Sequence, residues 1–264
     1  MKNSLLWQLE HPLTKEVHYI YGTMHVRNES AYAHIDIACH YLDKVGIYTG
    51  EMDLADPVLV GLEQYFLMPT GMTLVTLYGK RKYNRLRKII KKAYNVNIDG
   101  LVDYKPMIVA NIIAEKLLTA KHSLSLDHYL WQRASENEAV LLGLESGIDQ
   151  IYILNKISLN LQKPMLAATA KNVSRYRRKV FKLSNLYADQ EITQLYKSTR
   201  KSLGKLRKLL LYTRNNKMAD RLLEITQAEP SFTAVGAAHL GGKFGILRLM
   251  KKSGYKLKPL SHKS

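Results

Sequence analysis

Two histidines and two glutamates follow apolar runs that read as strands. Gly22-Thr-Met-His25 comes directly after Val17 to Tyr21, and Gly236-Ala-Ala-His239 comes directly after Phe232 to Val235. Glu51 lies in the run Ile47 to Leu54, and Glu145 closes the run that starts at Ala139. In open α/β sheets, ligands bind beyond the carboxyl ends of strands, so side chains at such ends are well placed for chemistry. Two imidazoles with one or two carboxylates suit a divalent ion such as Mn, Co, Fe or Zn; mostly carboxylate and water ligation would favour Mg or Mn. Three protein ligands leave a position for water, whose pKa the ion draws toward ~7 while it polarises a bound carbonyl. A remaining glutamate could take the proton. That chemistry is hydrolysis.

A histidine after a single glycine is more often structural than catalytic. Here the arrangement occurs twice, which strengthens the functional reading. The glutamates carry a separate argument, because a carboxylate among apolar strand residues is costly to bury unpaired. Arg214 could pair with one of them or contact substrate. The glycines and alanines beside both histidines would let a substrate backbone approach closely.

The elements that must position these groups can be read from periodicity. Leu5 to Leu9 and Val17 to Tyr21 form paired strands around a turn at His11 to Lys15. A helix follows, with Ile35, Ala38, Cys39, Leu42 and Val45 on its apolar positions, and Gly46 ends it. At the other end of the chain, Gly241 and Gly242 break into a helix over Phe244 to Lys252. Gly254 stops that helix, and Tyr255 to Leu260 read as a strand. Strand, Gly-x-x-His, helix, strand therefore occurs at 17–54 and again at 231–260. Parallel crossovers are almost always right-handed, so two such units can be related by a pseudo-twofold axis. The expected fold is α/β, with pseudo-twofold repeated strand–helix–strand units in a mixed central sheet flanked by helices.

Between the two units the pattern is mostly helical. Pro57 to Phe66 reads as a short amphipathic helix, and residues 80–92 as a basic one with Leu86, Ile89, Ile90 and Ala93 at helical spacing. Further helices are expected over Pro106 to Leu118, over Leu126 to Asn137, around Gln150, across 171–217 and around Met218, Leu222, Leu223 and Ile225. No linker or low-complexity tract interrupts the chain. The organisation expected is one domain over 1–264, with a helical layer at about 57–135 and a basic helical insert at about 171–208.

Of the 264 residues, 46% are hydrophobic, enough for a full core. A single cysteine, Cys39, excludes an intramolecular disulfide. The net charge of +18 favours attraction to nucleic acid, acidic protein or anionic membrane. No nucleic-acid-binding signature accompanies it, and a solvated helix face is the commoner meaning of basic helices. No apolar stretch approaches the roughly 20 residues that span a bilayer. The stretch Met1 to Glu10 lacks the continuous apolar run of a signal peptide, so a cytoplasmic location is expected. His34 and His40 share no helix face, and His18, His122, His128 and His262 have no evident partner in the sequence.

Several separated segments resemble the TraB/GumN family, which includes the Tiki metal-dependent proteases. They are Tyr21-Gly-Thr-Met-His25-Val, the strand with Glu51, Lys105-Pro106-Met107, Leu126-Asp-His-Tyr-Leu130, and Leu142-Gly-Leu-Glu-Ser146 with Gln150. Arg214-Asn215 with Met218-Ala219, then Phe232 to Leu240 with Gly254-Tyr255, complete the set. Together they cover most of the chain. One departure is Ser146, where the family usually has threonine. The resemblance implies a fold related to erythromycin esterase and haem-binding ChaN-like proteins. It implies an active site in which His25, His239 and Glu51 hold a divalent metal, Mn, Co or Zn, with Glu145 contributing to catalysis. Arg214, Asn215 and Gln150 are then assigned to binding a peptide or small-molecule substrate. Two other readings stay open. One is a non-catalytic protein that sequesters a peptide or small ligand in the same pocket. The other is a basic adaptor for nucleic acid or an anionic surface.

Overall fold

A computed structural model describes residues 3–260, so His262 and the first two residues of the N-terminal reading lie outside it. The chain divides into two compact units. One is Met1–Asp56 with Lys121–Asp149 and Leu183–Ser264; the other is Pro57–Ala120 with Gln150–Lys182.

The first unit holds a six-stranded sheet of β1 (Leu6–Glu10), β2 (Val17–Thr23), β3 (Ile47–Met52), β4 (Val140–Glu145), β5 (Ser231–Gly236) and β6 (Lys256–Leu260), in the order β4-β3-β5-β2-β1-β6. The strands β4, β3, β5 and β2 run parallel, while β1 is antiparallel to both of its neighbours. This is the mixed sheet with flanking helices that the sequence predicts. The two Gly-x-x-His strands are neighbours at its centre, with Thr23 opposite Gly236. The repeat is not strict. After β2 the chain crosses β5 to reach β3, whereas after β5 it passes both β2 and β1 to reach the edge. β1 occupies the intervening place because it pairs with β2 as a hairpin.

Phe232, Thr233, Ala234 and Val235 of β5 are all buried, which explains why a central parallel strand reads as a near-continuous apolar run. Met218, Leu222 and Ile225 of the helix Arg214–Ile225 pack into the same core, together with Leu126 and Leu130 of Leu126–Glu136. A β-carbon on Gly22 would lie 2.7 Å from Leu240 Cδ1 and 3.0 Å from Ala237 Cα. The glycine of the first motif is thus what lets its strand end lie against the turn of the second. Buried Tyr187 donates to the Gly22 carbonyl at 2.9 Å and fixes that strand end from the helix Val173–Ala188.

The second unit is helical. Leu74–Tyr78, Lys80–Tyr94, Pro106–Leu117 and Leu159–Lys171 enclose a core that includes Leu74, Leu86, Ile90, Val109, Ile113 and Leu166. The basic helix buries Tyr83, Leu86, Ile90 and Tyr94 and exposes Lys80, Arg81, Lys82, Arg85, Lys88, Lys91 and Lys92. The helix expected over Pro57 to Phe66 is instead two short turns, Pro57–Leu59 and Leu62–Phe66. Gly61 separates them at φ +84°, a left-handed conformation that no helix can carry.

The long helical run expected across 171–217 is likewise broken. It consists of Val173–Ala188, Ile192–Leu203 and two short pieces, Gly204–Leu206 and Lys208–Thr213. Gln190 at φ +55° and Gly204 at φ +53° make the breaks. Charge periodicity continues across both positions, so the pattern alone does not reveal them. Among the described residues, no helix is long and apolar enough to cross a membrane.

Candidate active site at the strand ends

The sheet order arranges the candidate groups along one edge. Moving across β4, β3, β5 and β2, the carboxyl ends present Glu145, Glu51, then His239 just after β5 and His25 just after β2. Their side chains fall into two hydrogen-bonded groups.

Arg214 is the hub of the first. Its Nε lies 2.9 Å from Glu145 Oε1, and its Nη2 lies 2.6 Å from Glu145 Oε2 and 2.5 Å from Glu51 Oε1. Its Nη1 sits 3.5 Å from His239 Nε2. The Gly236 N–H donates to Glu51 Oε2 at 2.8 Å, tying β5 to the carboxylate of β3. A β-carbon on Gly236 would lie 3.1 Å from that same oxygen, so glycine permits the close approach.

The tautomer of His239 follows from Asn215. The Asn215 Nδ2 donates to the Phe244 carbonyl at 2.6 Å, which turns its Oδ1 toward His239 Nδ1 at 2.5 Å. Nδ1 therefore carries the proton, and Nε2 presents its lone pair to the site. Burial pushes the His239 pKa down to about 4, so the ring is neutral at physiological pH; the Glu51 charge opposes that shift and the Arg214 charge adds to it. Burial pushes Glu51 upward. The Arg214 charge and the Gly236 N–H oppose that effect and hold Glu51 below the usual carboxylate range, and a proton on His239 would bring it to about 2. With His239 neutral, Arg214 is the cation that keeps Glu51 ionised. Glu145 is more deeply buried, and burial raises its pKa despite Arg214.

The second group forms around His25. The ring is largely exposed, and its Nδ1 donates to Asp127 Oδ2 at 3.2 Å, while the Thr23 hydroxyl donates to Asp127 Oδ1 at 2.6 Å. Asp127 belongs to the first turn of Leu126–Glu136. Read locally, it is an acid that favours a helix N-terminus, and nothing in its spacing to His25 marks it as a partner. Gln150, expected to contact substrate, stands half-buried on the helix Gly147–Lys156 and belongs to the second unit. Asn215, expected in the same role, is buried and spends its side chain on His239 and Phe244.

Metal-binding histidines usually donate their second ring nitrogen to a carboxylate or carbonyl, which fixes the tautomer and orientation. Both histidines have this bracing, through Asp127 and Asn215. In this respect they fit a divalent ion. The carboxylates are engaged by Arg214, and among the described residues no group of three or more His, Cys, Asp or Glu side chains is arranged to hold a metal.

The fold and site define a mixed-sheet α/β protein with a histidine–carboxylate centre at the ends of its parallel strands. The chain belongs to the TraB/PrgY/gumN family, whose model matches residues 5–259. It is similar to "Metalloprotease TIKI2" of Danio rerio, 23% identical over 315 residues that cover 97% of this chain and 60% of the relative. It is also similar to "Metalloprotease TIKI homolog" of Nematostella vectensis, 22% identical over 317 residues covering 96% of this chain and 66% of the relative. The chain thus spans less than two thirds of either relative's length. No solved structure matches it.

Proposed function

We propose that the chain is a metal-dependent hydrolase of peptide or amide bonds, acting at the carboxyl edge of β4, β3, β5 and β2. The observation that carries this reading is the paired bracing of His25 and His239. Two rings from neighbouring strands are both held through Nδ1, His25 by Asp127 and His239 by Asn215. The relatives named as metalloproteases support it.

In this reading His25 and His239 would hold the ion, and Glu51 would be the third ligand or the base. Mn, Co and Zn suit the imidazole donors. When bound, such an ion lowers the pKa of water toward ~7 and polarises a carbonyl. The protein's own groups do the rest. Arg214 and the Gly236 N–H keep Glu51 ionised, the form in which it can act as an anionic ligand. Glu145 anchors Arg214, and Asn215 holds His239 in one tautomer. A peptide is the substrate class in keeping with the two relatives named as metalloproteases.

The test is thermal unfolding of metal-stripped protein with Mn, Co, Zn, Mg and Ca, beside His239→Ala. An ion at 100 times its dissociation constant stabilises the folded state by about 2.7 kcal/mol. Stabilisation of the wild type alone, followed by cleavage in a peptide library, is the expected result. If no ion shifts the wild type, the metal reading fails. Metal binding without cleavage would point to a ligand-sequestering protein instead.

A further inference from the structure

The second unit contains a charge that nothing in the strand-end chemistry uses. Lys105 is only 8% exposed, yet its Nζ is held by two neutral oxygens, the Tyr65 carbonyl at 2.6 Å and Asn155 Oδ1 at 3.0 Å. Among the described residues, no carboxylate pairs with it. An ammonium that is buried without a counter-charge is costly unless something compensates it. Two oxygens occupy two of its three N–H groups, and a third donor is left over.

A cavity of about 410 Å³ opens beside this group, lined by Lys105, Asn155, Ser158 and Thr70 together with Leu67, Met68, Ile157 and Leu159. That volume is within the range of small-molecule sites, which are apolar pockets with a few placed polar groups. The Ser158 hydroxyl makes no cap bond to the helix Leu159–Lys171 that starts at the cavity, and the positive end of that helix adds to the field from Lys105. Gln162 is fully buried and spent: its Oε1 accepts from the Met107 N–H and its Nε2 donates to the Ile157 carbonyl. It fixes the wall and leaves Lys105 as the cavity's one cation.

We propose that this cavity binds a small organic carboxylate, with the acid group on Lys105 Nζ and the apolar tail against Leu67, Met68, Ile157 and Leu159. One ammonium matches one negative charge, and the walls suit a hydrocarbon tail. Inorganic phosphate carries more charge than the site supplies and has no apolar part.

The test uses the full chain and titrates hexanoate, hexanamide and inorganic phosphate by ligand-observed NMR and thermal shift. Hexanoate should bind, and the other two should not. Asn155→Asp keeps the shape of the site but gives Lys105 an internal counter-ion. It should weaken hexanoate binding by about tenfold or more, the effect of losing one charge-assisted hydrogen bond of ~1.5 kcal/mol. Its melting temperature should equal or exceed the wild type's, which separates lost binding from lost folding. Lys105→Met should also abolish binding; should it fail to fold, Asn155→Asp decides. The proposal is overturned if hexanoate does not bind, if hexanamide or phosphate binds as well, or if Asn155→Asp binds hexanoate like the wild type.

Discussion

Arg214 and Glu145 form a two-pronged ion pair, Nε to Oε1 at 2.9 Å and Nη2 to Oε2 at 2.6 Å, and the same Nη2 reaches Glu51. One guanidinium therefore bridges two carboxylates that come from neighbouring strands. Its planar fork suits this task in a way that a lysine ammonium does not.

Replacing Arg214 with Gln should destabilise the protein by about 3–5 kcal/mol, because it takes this cation from the buried Glu145 and the half-buried Glu51. Denaturant unfolding of the variant measures this. Arg214→Gln combined with Glu145→Gln should recover part of the loss. If the double variant is no more stable than the single one, the pair is not the source of the effect.

Asn215 should matter to His239 more than to the fold around it. Asn215→Leu removes the acceptor on Nδ1 and should lower metal affinity or turnover by about 10- to 100-fold. The ring ¹⁵N shifts of His239 give a second readout. The wild type should show protonated Nδ1 and bare Nε2, and the variant a mixture.

Close packing between the two Gly-x-x-His motifs predicts that Gly22→Ala is poorly tolerated. The new methyl would lie 2.7 Å from Leu240 Cδ1. Overpacking of this kind costs about 1–3 kcal/mol. Gly46→Ala is the control, since its β-carbon would come no nearer than 3.7 Å to Glu229 Oε2. Comparable melting temperatures for the two variants would contradict the packing argument.

Acid should destabilise the first unit through His18. This ring is fully buried, its Nδ1 lies 3.1 Å from the Ser231 hydroxyl, and among the described residues Nε2 has no hydrogen-bond partner. Burial, and to a lesser degree His11, lowers its pKa from 6.5 to about 4. Between those values the unfolded chain takes up a proton that the folded one refuses, so stability falls as pH drops from about 6.5 to 4. The effect should reach roughly 3 kcal/mol for this one group. His18→Leu should reduce the slope across that window and leave the share of His239, whose pKa burial also lowers to about 4; an unchanged slope would show that other groups carry it.

The sequence by itself determined the local parts of this protein. Continuous apolar runs gave the strands, glycines gave the turns, and both histidines and both glutamates were visible at strand ends because strand boundaries are local events. The mixed sheet and its flanking helices followed from the same signals. Breaks at Gly61 and Gln190 were not visible, since apolar and charge periodicity runs on through residues whose φ is positive.

Only the tertiary structure decided which side chains meet. The order β4-β3-β5-β2 set Glu51 between Glu145 and His239 along the edge, and a helix start beyond 210 supplied Arg214 and Asn215 to them. Asp127 came to His25 across 102 positions of sequence. The buried Lys105 found two neutral oxygens instead of a carboxylate. Periodicity reports which face of an element is buried, and it carries no information about the partner on the other side. That partner is chosen by strand order and helix packing, which are properties of the whole chain.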